Sequence, residues 1–436
     1  MEHVRKADTD LRGALSDLLE SVARSSGVPG IAADVSVEGL RMSAAFGSAA
    51  QGSAVPISSE SRFPLACNTK PLTSFVVTAL AARGKLALNA SLDQLLEEFH
   101  GLPQASGVQI QHLLSHTSGF LGASAAALRQ FSWPEFCDFF AHTPRLFCPG
   151  SVFDYDHTNY FVLGEILRRT TGLCVIDLLR AVLFEPLGLE MSGTEDVLDP
   201  HSARLDAFAP PPAARRPWSA AASGITMSTT ELVSVLEATC LCGGEDGTPG
   251  IWPASARSLY VDSQLIELPR VCMGTLREQH PAAWGLGCAR YSAGVLGHNA
   301  ITRRQTAGFR VSPRHRAAVA VTVSSWHPRT RDFVLDQILC MLGASAGQEP
   351  ESAVALDMDD AELVGEYVGS AGSIRIQRHT SGNYVCRGPF VPLMFGTDEA
   401  AQLTVLGGRN LGFFRDPGSG APCVMIDLNA FKKQTS

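Results

Sequence analysis

No apolar run in this 436-residue chain reaches the roughly 18 residues that a membrane-crossing helix needs, so no span is expected. No lysine and arginine cluster is dense enough to follow a phosphate backbone, and the net charge is −8, which excludes nucleic acid as a partner. The N-terminal segment MEHVRKADTDLRGALSDLLESVARSSG lacks the uninterrupted apolar core of a signal peptide, so a cytoplasmic location is expected. The 11 cysteines follow no repeated spacing. Their C-x-C pair, Cys240 and Cys242, has no second pair and no nearby histidine, so neither a metal site nor a cofactor motif is expected. Most of the thiols are expected to be reduced core residues. Internal repeats and low-complexity tracts are missing too.

What is there suits a packed globule. Apolar residues make up 45% and charged residues 18%, in a length that accommodates two or three domains. Residues 7–26 read as an amphipathic helix, stopped by Gly27 and Pro29-Gly30. IAADVSVEGLRMSAAFGSA alternates about Glu38-Gly39 and predicts a hairpin. Helices are predicted from Cys67 onward, in SLDQLLEEF with Ser91 as its cap, and in IQHLLSHTSGF up to Gly119. CPGSVFDYDHTNYFVLGEILRRTTG reads as a turn, an extended piece and a helix ended by Gly172. GITMSTTELVSVLEATCLCGG predicts a helix capped at Ser228/Thr229 with Glu231 in its first turn. Two strand-like segments follow, AAWGLGCARYSAGVLGHNA and a hairpin turning at Ser312-Pro313-Arg314, then the helix RDFVLDQILCMLG. From about residue 360 the pattern becomes short strands with turn signals every eight to twelve residues, as in a small β-barrel or sandwich. The expected organisation is a catalytic domain over 1–345, a linker over 346–359 and a β-domain over 360–436.

FPLACNTKPLTSFVVTAL carries the first chemistry-bearing pair. Cys67 and Lys70 are three apart at a predicted helix start, which places them on one face. A helix N-terminus and a nearby ammonium both favour a thiolate over a thiol. By itself C-x-x-K is common, and a buried cysteine beside a surface lysine is an ordinary arrangement. Tyr155 and His157, two apart in the extended piece, share a face, and either can exchange a proton with a nucleophile or leaving group. His298-Asn299 follow the glycine-rich AGVLG, where small residues let a substrate lie along the backbone.

Taken together and in order, these motifs resemble the serine β-lactamase and penicillin-binding-protein superfamily, in particular its class C β-lactamase, esterase and transesterase branch. FPLACNTK stands where the family has S-x-x-K, FDYDHTNY where it has Y-x-N, and GVLGHNA where it has K-T-G or H-x-G. HLLSHTSGF, PLGLEMSGT, ASGITMSTTELV and WGLGCARY match in support, over roughly residues 15–343. The resemblance implies an α+β fold of the β-lactamase/transpeptidase-like type: a five-stranded antiparallel sheet flanked by the terminal helices, with a helical subdomain at about 68–215 and an active site between the two. The tail resembles the small lipocalin-like barrel that follows the catalytic domain in some relatives.

The departures from the family pattern are as informative. Cys67 replaces the nucleophilic serine, His157 the usual asparagine, and Ala300 the usual glycine. Carried over position by position, Cys67 would be the acyl-accepting nucleophile, with Lys70 and Tyr155 jointly its proton acceptors, and Tyr155 the relay to the leaving group. His157 would orient substrate or act as a base. His298 falls in the third motif and completes the catalytic set. The backbone N–H groups of Cys67 and Ile301 would form the oxyanion hole, a geometry that Ala300 perturbs. Asn299, Ala300 and Ile301 would line the substrate, and Arg303 and Arg304 would hold a phosphopantetheine phosphate or a carboxylate, or else be a solvated basic pair. A thiol nucleophile suits acyl transfer from a carrier-protein or coenzyme-A thioester, or an ester, to an amine, alcohol or carbon nucleophile, as in specialised biosynthesis. The expected partners are thus a small-molecule donor and acceptor, with an acyl carrier protein as one candidate donor. An esterase, amidase or β-lactamase-like hydrolase on the same site is the alternative. A non-catalytic shell, or an engineered serine-to-cysteine replacement, is a third reading, although one replacement would not explain three departures.

Overall fold

The computed structural model describes residues 2–123, 125–189, 219–241, 252–269, 280–302, 304–344, 358–388, 393–397, 403–406 and 410–434. The chain divides into two compact units. The first comprises Met1–Leu86, Leu167–Ser263 and Gly287–Gly347; the second comprises Ala87–Ile166, Gln264–Leu286 and Gln348–Ser436.

The first unit is built on an antiparallel sheet of five long strands, β1 (Gly30–Val37), β2 (Leu40–Gly47), β3 (Leu296–Ile301), β4 (Thr306–Ser312) and β5 (Ala317–Val323), in the order β2-β1-β5-β4-β3. A two-residue strand, Ala289–Arg290, extends it beyond β3. Every residue of β4 and β5 is buried, so both faces of the sheet are covered. Helices α1 (Glu2–Ser26), α3 (Thr229–Leu236) and α4 (Pro328–Met341) pack against it, and α2 (Thr69–Ala82) belongs to the same unit. The predicted β1–β2 hairpin forms on a two-residue turn in which Glu38 (φ 49°) and Gly39 (φ 83°) are both left-handed, as the twist of paired strands favours. The β4–β5 hairpin closes at Ser312 and Ala317, beside the expected Ser312-Pro313-Arg314 turn. α3 begins with the expected capping box: Ser228 accepts from Glu231 N–H while the Glu231 carboxylate accepts from Ser228 N–H.

The second unit contains a helical part and a β part. The helical part is held by packed aromatics, Phe99 stacked on Phe140 at 4.4 Å and Phe136 tilted against Phe161 at 4.8 Å between ring centres. The β part is a curled antiparallel sheet, a half-barrel, of eight strands: β6 (Gly365–Gly369), β7 (Gly372–Arg378), β8 (Tyr384–Arg387), β9 (Leu393–Thr397), β10 (Leu403–Leu406), β11 (Leu411–Arg415), β12 (Pro422–Ile426) and β13 (Asn429–Lys433). Their order is β10-β9-β8-β7-β6-β13-β12-β11. Alternate residues such as Ile374, Ile376, Val424 and Ile426 fill its inner face.

Three local expectations are corrected. The helix at Ser91 is a single turn, Leu92–Leu95, and the Ser91 hydroxyl donates to Asp93 instead of capping. The helix expected to reach Gly119 ends at Leu114, because His116 turns left-handed (φ 56°) and its carbonyl accepts from Asp154 N–H at 2.9 Å. Tyr155 and His157 do not share an extended piece: His157 is the first residue of the helix His157–Thr171. Asp156 starts that helix by accepting from Thr158 N–H at 2.9 Å. Cys242, Arg303, much of PLGLEMSGT and the 346–357 part of the linker lie outside the described residues.

Gly119 has φ +77°, and a Cβ there would fall 2.0 Å from the Phe147 carbonyl oxygen, whereas Gly107 (φ +73°) has open space around it. Gly107→Ala should therefore cost about 1 kcal/mol, and Gly119→Ala about 3 kcal/mol, the difference being the clash. Urea unfolding of the two variants checks this; equal losses would show that the loop yields.

Candidate active site

The first unit gathers Cys67, Lys70, His298 and Ala300. The strand Phe63–Pro64 pairs with Thr226–Met227, and Leu65 N–H donates to the Ile225 carbonyl at 2.7 Å, which fixes the approach to Cys67. Ala66 is then left-handed (φ 45°), a costly conformation for a residue with a side chain. Cys67 lies in the 3₁₀ turn Ala66–Asn68, immediately before α2, rather than inside the helix as expected. It remains at the positive end of the α2 dipole. Cys67 is half-buried and packs with Ala66 against Phe63, Ala300 and Ala307.

Lys70 is wholly buried in the first turn of α2, and its ammonium donates to the Ala222 carbonyl at 3.2 Å. Thr73, one turn on, donates to the Ala221 carbonyl at 2.9 Å. The segment Ala221–Thr226, read beforehand only as a supporting match, is thus the wall that holds the amine in place.

β3 supplies His298 and Ala300 on one face and Asn299 on the other. His298 is buried, and the Asn68 side chain lies 3.2 Å from its Nδ1. With Asn68 Oδ1 as acceptor, His298 carries its proton on Nδ1 and presents a lone pair at Nε2. Burial holds its pKa well below the usual histidine value, and the charges of Lys70, Arg310 and Arg331 push it further down. Asn299 accepts from Arg310 at 2.9 Å, so its amide serves the protein interior. Arg310 and Arg331 share one buried carboxylate, Asp332, with Arg331 binding both its oxygens at 2.9 and 3.0 Å. Arg331 also reaches the Ala300 carbonyl at 3.5 Å. The side chains of Ile301 and Arg304 are exposed.

Tyr155 and His157 belong to the second unit, with ring centres 5.9 Å apart, edge to face. The His116 ring lies 4.4 Å from the Tyr155 ring, and its Nδ1 accepts from Asp156 N–H at 3.2 Å. Asp154, next to Tyr155, is a buried carboxylate whose pKa burial pushes up to about 6, against the pull of donors from Ala430 and Ser370.

Asn68, His116, Asp154 and the Arg310–Arg331–Asp332 group had been given no role from sequence. Asn68 sits within C-x-x-K itself, and His116 lies in the quoted HTSGF; both were visible, but nothing in their spacing assigns them a partner.

The first unit thus brings together a cysteine on a left-handed turn before a helix, a buried lysine one turn along and a strand carrying a buried histidine. The Beta-lactamase family model matches residues 13–340, and the chain belongs to that family, within the serine β-lactamase and penicillin-binding-protein superfamily. The chain is 35% identical over 156 residues to Esterase EstB of Burkholderia gladioli, a match covering 32% of this chain and 40% of that protein. It is 33% identical over 171 residues to Penicillin-binding protein 4 of Amycolatopsis lactamdurans, covering 38% and 45% respectively. The matches thus span less than half the length of these relatives. The crystal structure of SurE with D-Leu shares the fold, with a TM-score of 0.77 at 22% identity over 98% of this chain and 100% of that one. Among the described residues, no helix is long and apolar enough to cross a membrane.

A neutral His298 has a measurable consequence. Because its folded pKa is depressed, the unfolded chain takes up a proton that the folded chain refuses, and stability falls as pH drops below 6.5. In imidazole NMR, His298 should show no protonation at pH 6, and Asn68→Asp should raise its pKa. Titration of wild-type His298 at or above 6.5 would overturn the burial argument.

Proposed function

We propose that this protein is an acyltransferase working through a cysteine thioester. The Cys67 thiolate attacks the carbonyl of an activated donor, a carrier-protein or coenzyme-A thioester or an ester. That attack forms the carbon–Sγ bond; collapse of the tetrahedral intermediate re-forms the carbonyl, breaks the bond to the leaving group and expels the donor thiolate or alkoxide, which takes a proton from Tyr155 or Lys70. An amine, alcohol or carbon nucleophile then attacks acyl-Cys67, gives its proton to the same groups, and releases the thiolate.

The observation that carries this reading is the pairing of Cys67, on its left-handed Ala66 turn, with the wholly buried Lys70 in the first turn of the helix that follows. An apolar core position needs neither the strained turn nor a buried amine. A thiol favours the transferase over hydrolysis of unactivated amides, because acyl-Cys67 is itself a thioester and reacts readily with amines. The remaining roles follow motif position: the N–H groups of Cys67 and Ile301 as oxyanion donors, His157 orienting substrate, Arg303 and Arg304 receiving an anionic group of donor or substrate. Cytoplasmic thioester pools suit this chemistry.

The identity with an esterase favours a second reading, in which water takes the acyl group. Intact-mass spectrometry after incubation with acyl-thioesters, p-nitrophenyl esters and a penicillin separates the two. The transferase reading expects an acyl adduct on wild type, none on Cys67→Ala, acylation slowed about 100-fold or more in Lys70→Met, and turnover accelerated by added amine. An adduct decaying equally fast with and without acceptor would identify a hydrolase, and no adduct with any donor would remove the covalent mechanism.

A further inference from the structure

Tyr155 is held by the end of the chain. Its own N–H donates to the Leu428 carbonyl at 3.0 Å, and its own carbonyl accepts from the Asn429 side chain at 3.0 Å. Both peptide groups of the motif tyrosine are thus bound at one hairpin end, by Leu428 of the two-residue link between β12 and β13 and by Asn429 of its closing pair with Ile426. That turn is itself pinned: Asp427 is left-handed (φ 54°), and its N–H and carboxylate bond the Asn410 carbonyl and N–H, each at 3.0 Å. The preceding residue is clamped the same way. Asp154 accepts from the Ser370 hydroxyl at 2.9 Å, the Ala430 N–H at 3.1 Å and the Ser370 N–H at 3.4 Å. Ser370 lies in the β6–β7 turn, so two turns of the same sheet grip consecutive residues. Lys432 adds a bond to the Leu146 carbonyl at 3.2 Å on the chain leading to this loop.

A sheet that only rode alongside the loop would not spend a buried carboxylate and both Tyr155 peptide groups on it. A buried carboxylate is expensive to leave unpaired, so the Asp154 bonds are strongly enforced. We propose that the C-terminal sheet is part of the reaction apparatus, with Asn429, Ser370 and Asp154 as positioning residues that set the Tyr155 phenol for proton transfer. This rests on the reading of Tyr155 as the proton relay. It gives the C-terminal sheet a task beyond binding: the sheet and the loop have to fold together for Tyr155 to act.

The test uses the full chain with Asn429→Ala and Ser370→Ala, each also combined with Tyr155→Phe, and unfolding midpoints to confirm folding. Acylation of Cys67 by a p-nitrophenyl ester should slow about tenfold in Asn429→Ala, and less than twofold when Tyr155 is already phenylalanine. Equal slowing in both backgrounds would mean a structural role only and would overturn the proposal. A second readout does not depend on catalysis. With 3-fluorotyrosine incorporated, the ¹⁹F resonance assigned through Tyr155→Phe should shift or broaden in both variants, while those of Tyr260 and Tyr291 stay in place. An unmoved Tyr155 resonance would overturn the positioning role even if Cys67 is acylated. A moved resonance with no acylation of wild type would uphold the positioning and reject the transferase.

Discussion

A lysine with no exposed surface is the constraint around which the first unit is organised. An ammonium taken out of water needs acceptors in place, and Lys70 finds one in the Ala222 carbonyl, which requires the Ala221–Thr226 segment to lie along α2. The same segment pairs with Phe63–Pro64 and so determines where the chain turns at Ala66 and where Cys67 is delivered. Burial first, and then the charges of Lys70, Arg310 and Arg331, disfavour a second proton on His298. The needs of the buried Lys70 thus bear on both the placement of Cys67 and the neutrality of His298, with Asp332 the buried carboxylate that Arg310 and Arg331 share.

The second unit solves a different problem. Tyr155 stands just before a helix that Asp156 starts, so its backbone has no ladder of its own to satisfy it. Leu428 and Asn429 meet that need by taking up both peptide groups, while the His116 ring packs, tilted, against the phenol ring. Residues 274 positions apart in sequence become hydrogen-bond partners. The loop carrying the motif tyrosine and the half-barrel are therefore one folding unit, consistent with residues 87–166 and 348–436 grouping together.

Periodicity and caps carried the regular elements well. The alternation about Glu38-Gly39 and the Ser228/Glu231 box are local signals, and both formed as read. The errors fell where a side chain found a better partner than its neighbours in sequence. Ser91 donates to Asp93 instead of capping; His116 leaves the helix to serve Asp154 and Asp156; Asp156 draws His157 into a helix and away from the extended pairing with Tyr155. In each case one or two polar contacts outweighed the pattern, since short segments have little propensity to lose.

The sequence by itself determined the family, the order of its three motifs and their departures, because these are statements about residue types along one chain. It also determined the period of each strand and long helix, since that is written in the spacing of apolar residues. Only the tertiary structure decided that Lys70 is buried, that Asn68 holds His298, that Asn299 faces Arg310, and that the half-barrel grips Tyr155. Except for Asn299 and Arg310, which sit on paired neighbouring strands, those are long-range pairings whose enthalpy is gained after the loops between them have closed, and no local spacing encodes which acceptor a buried donor will find.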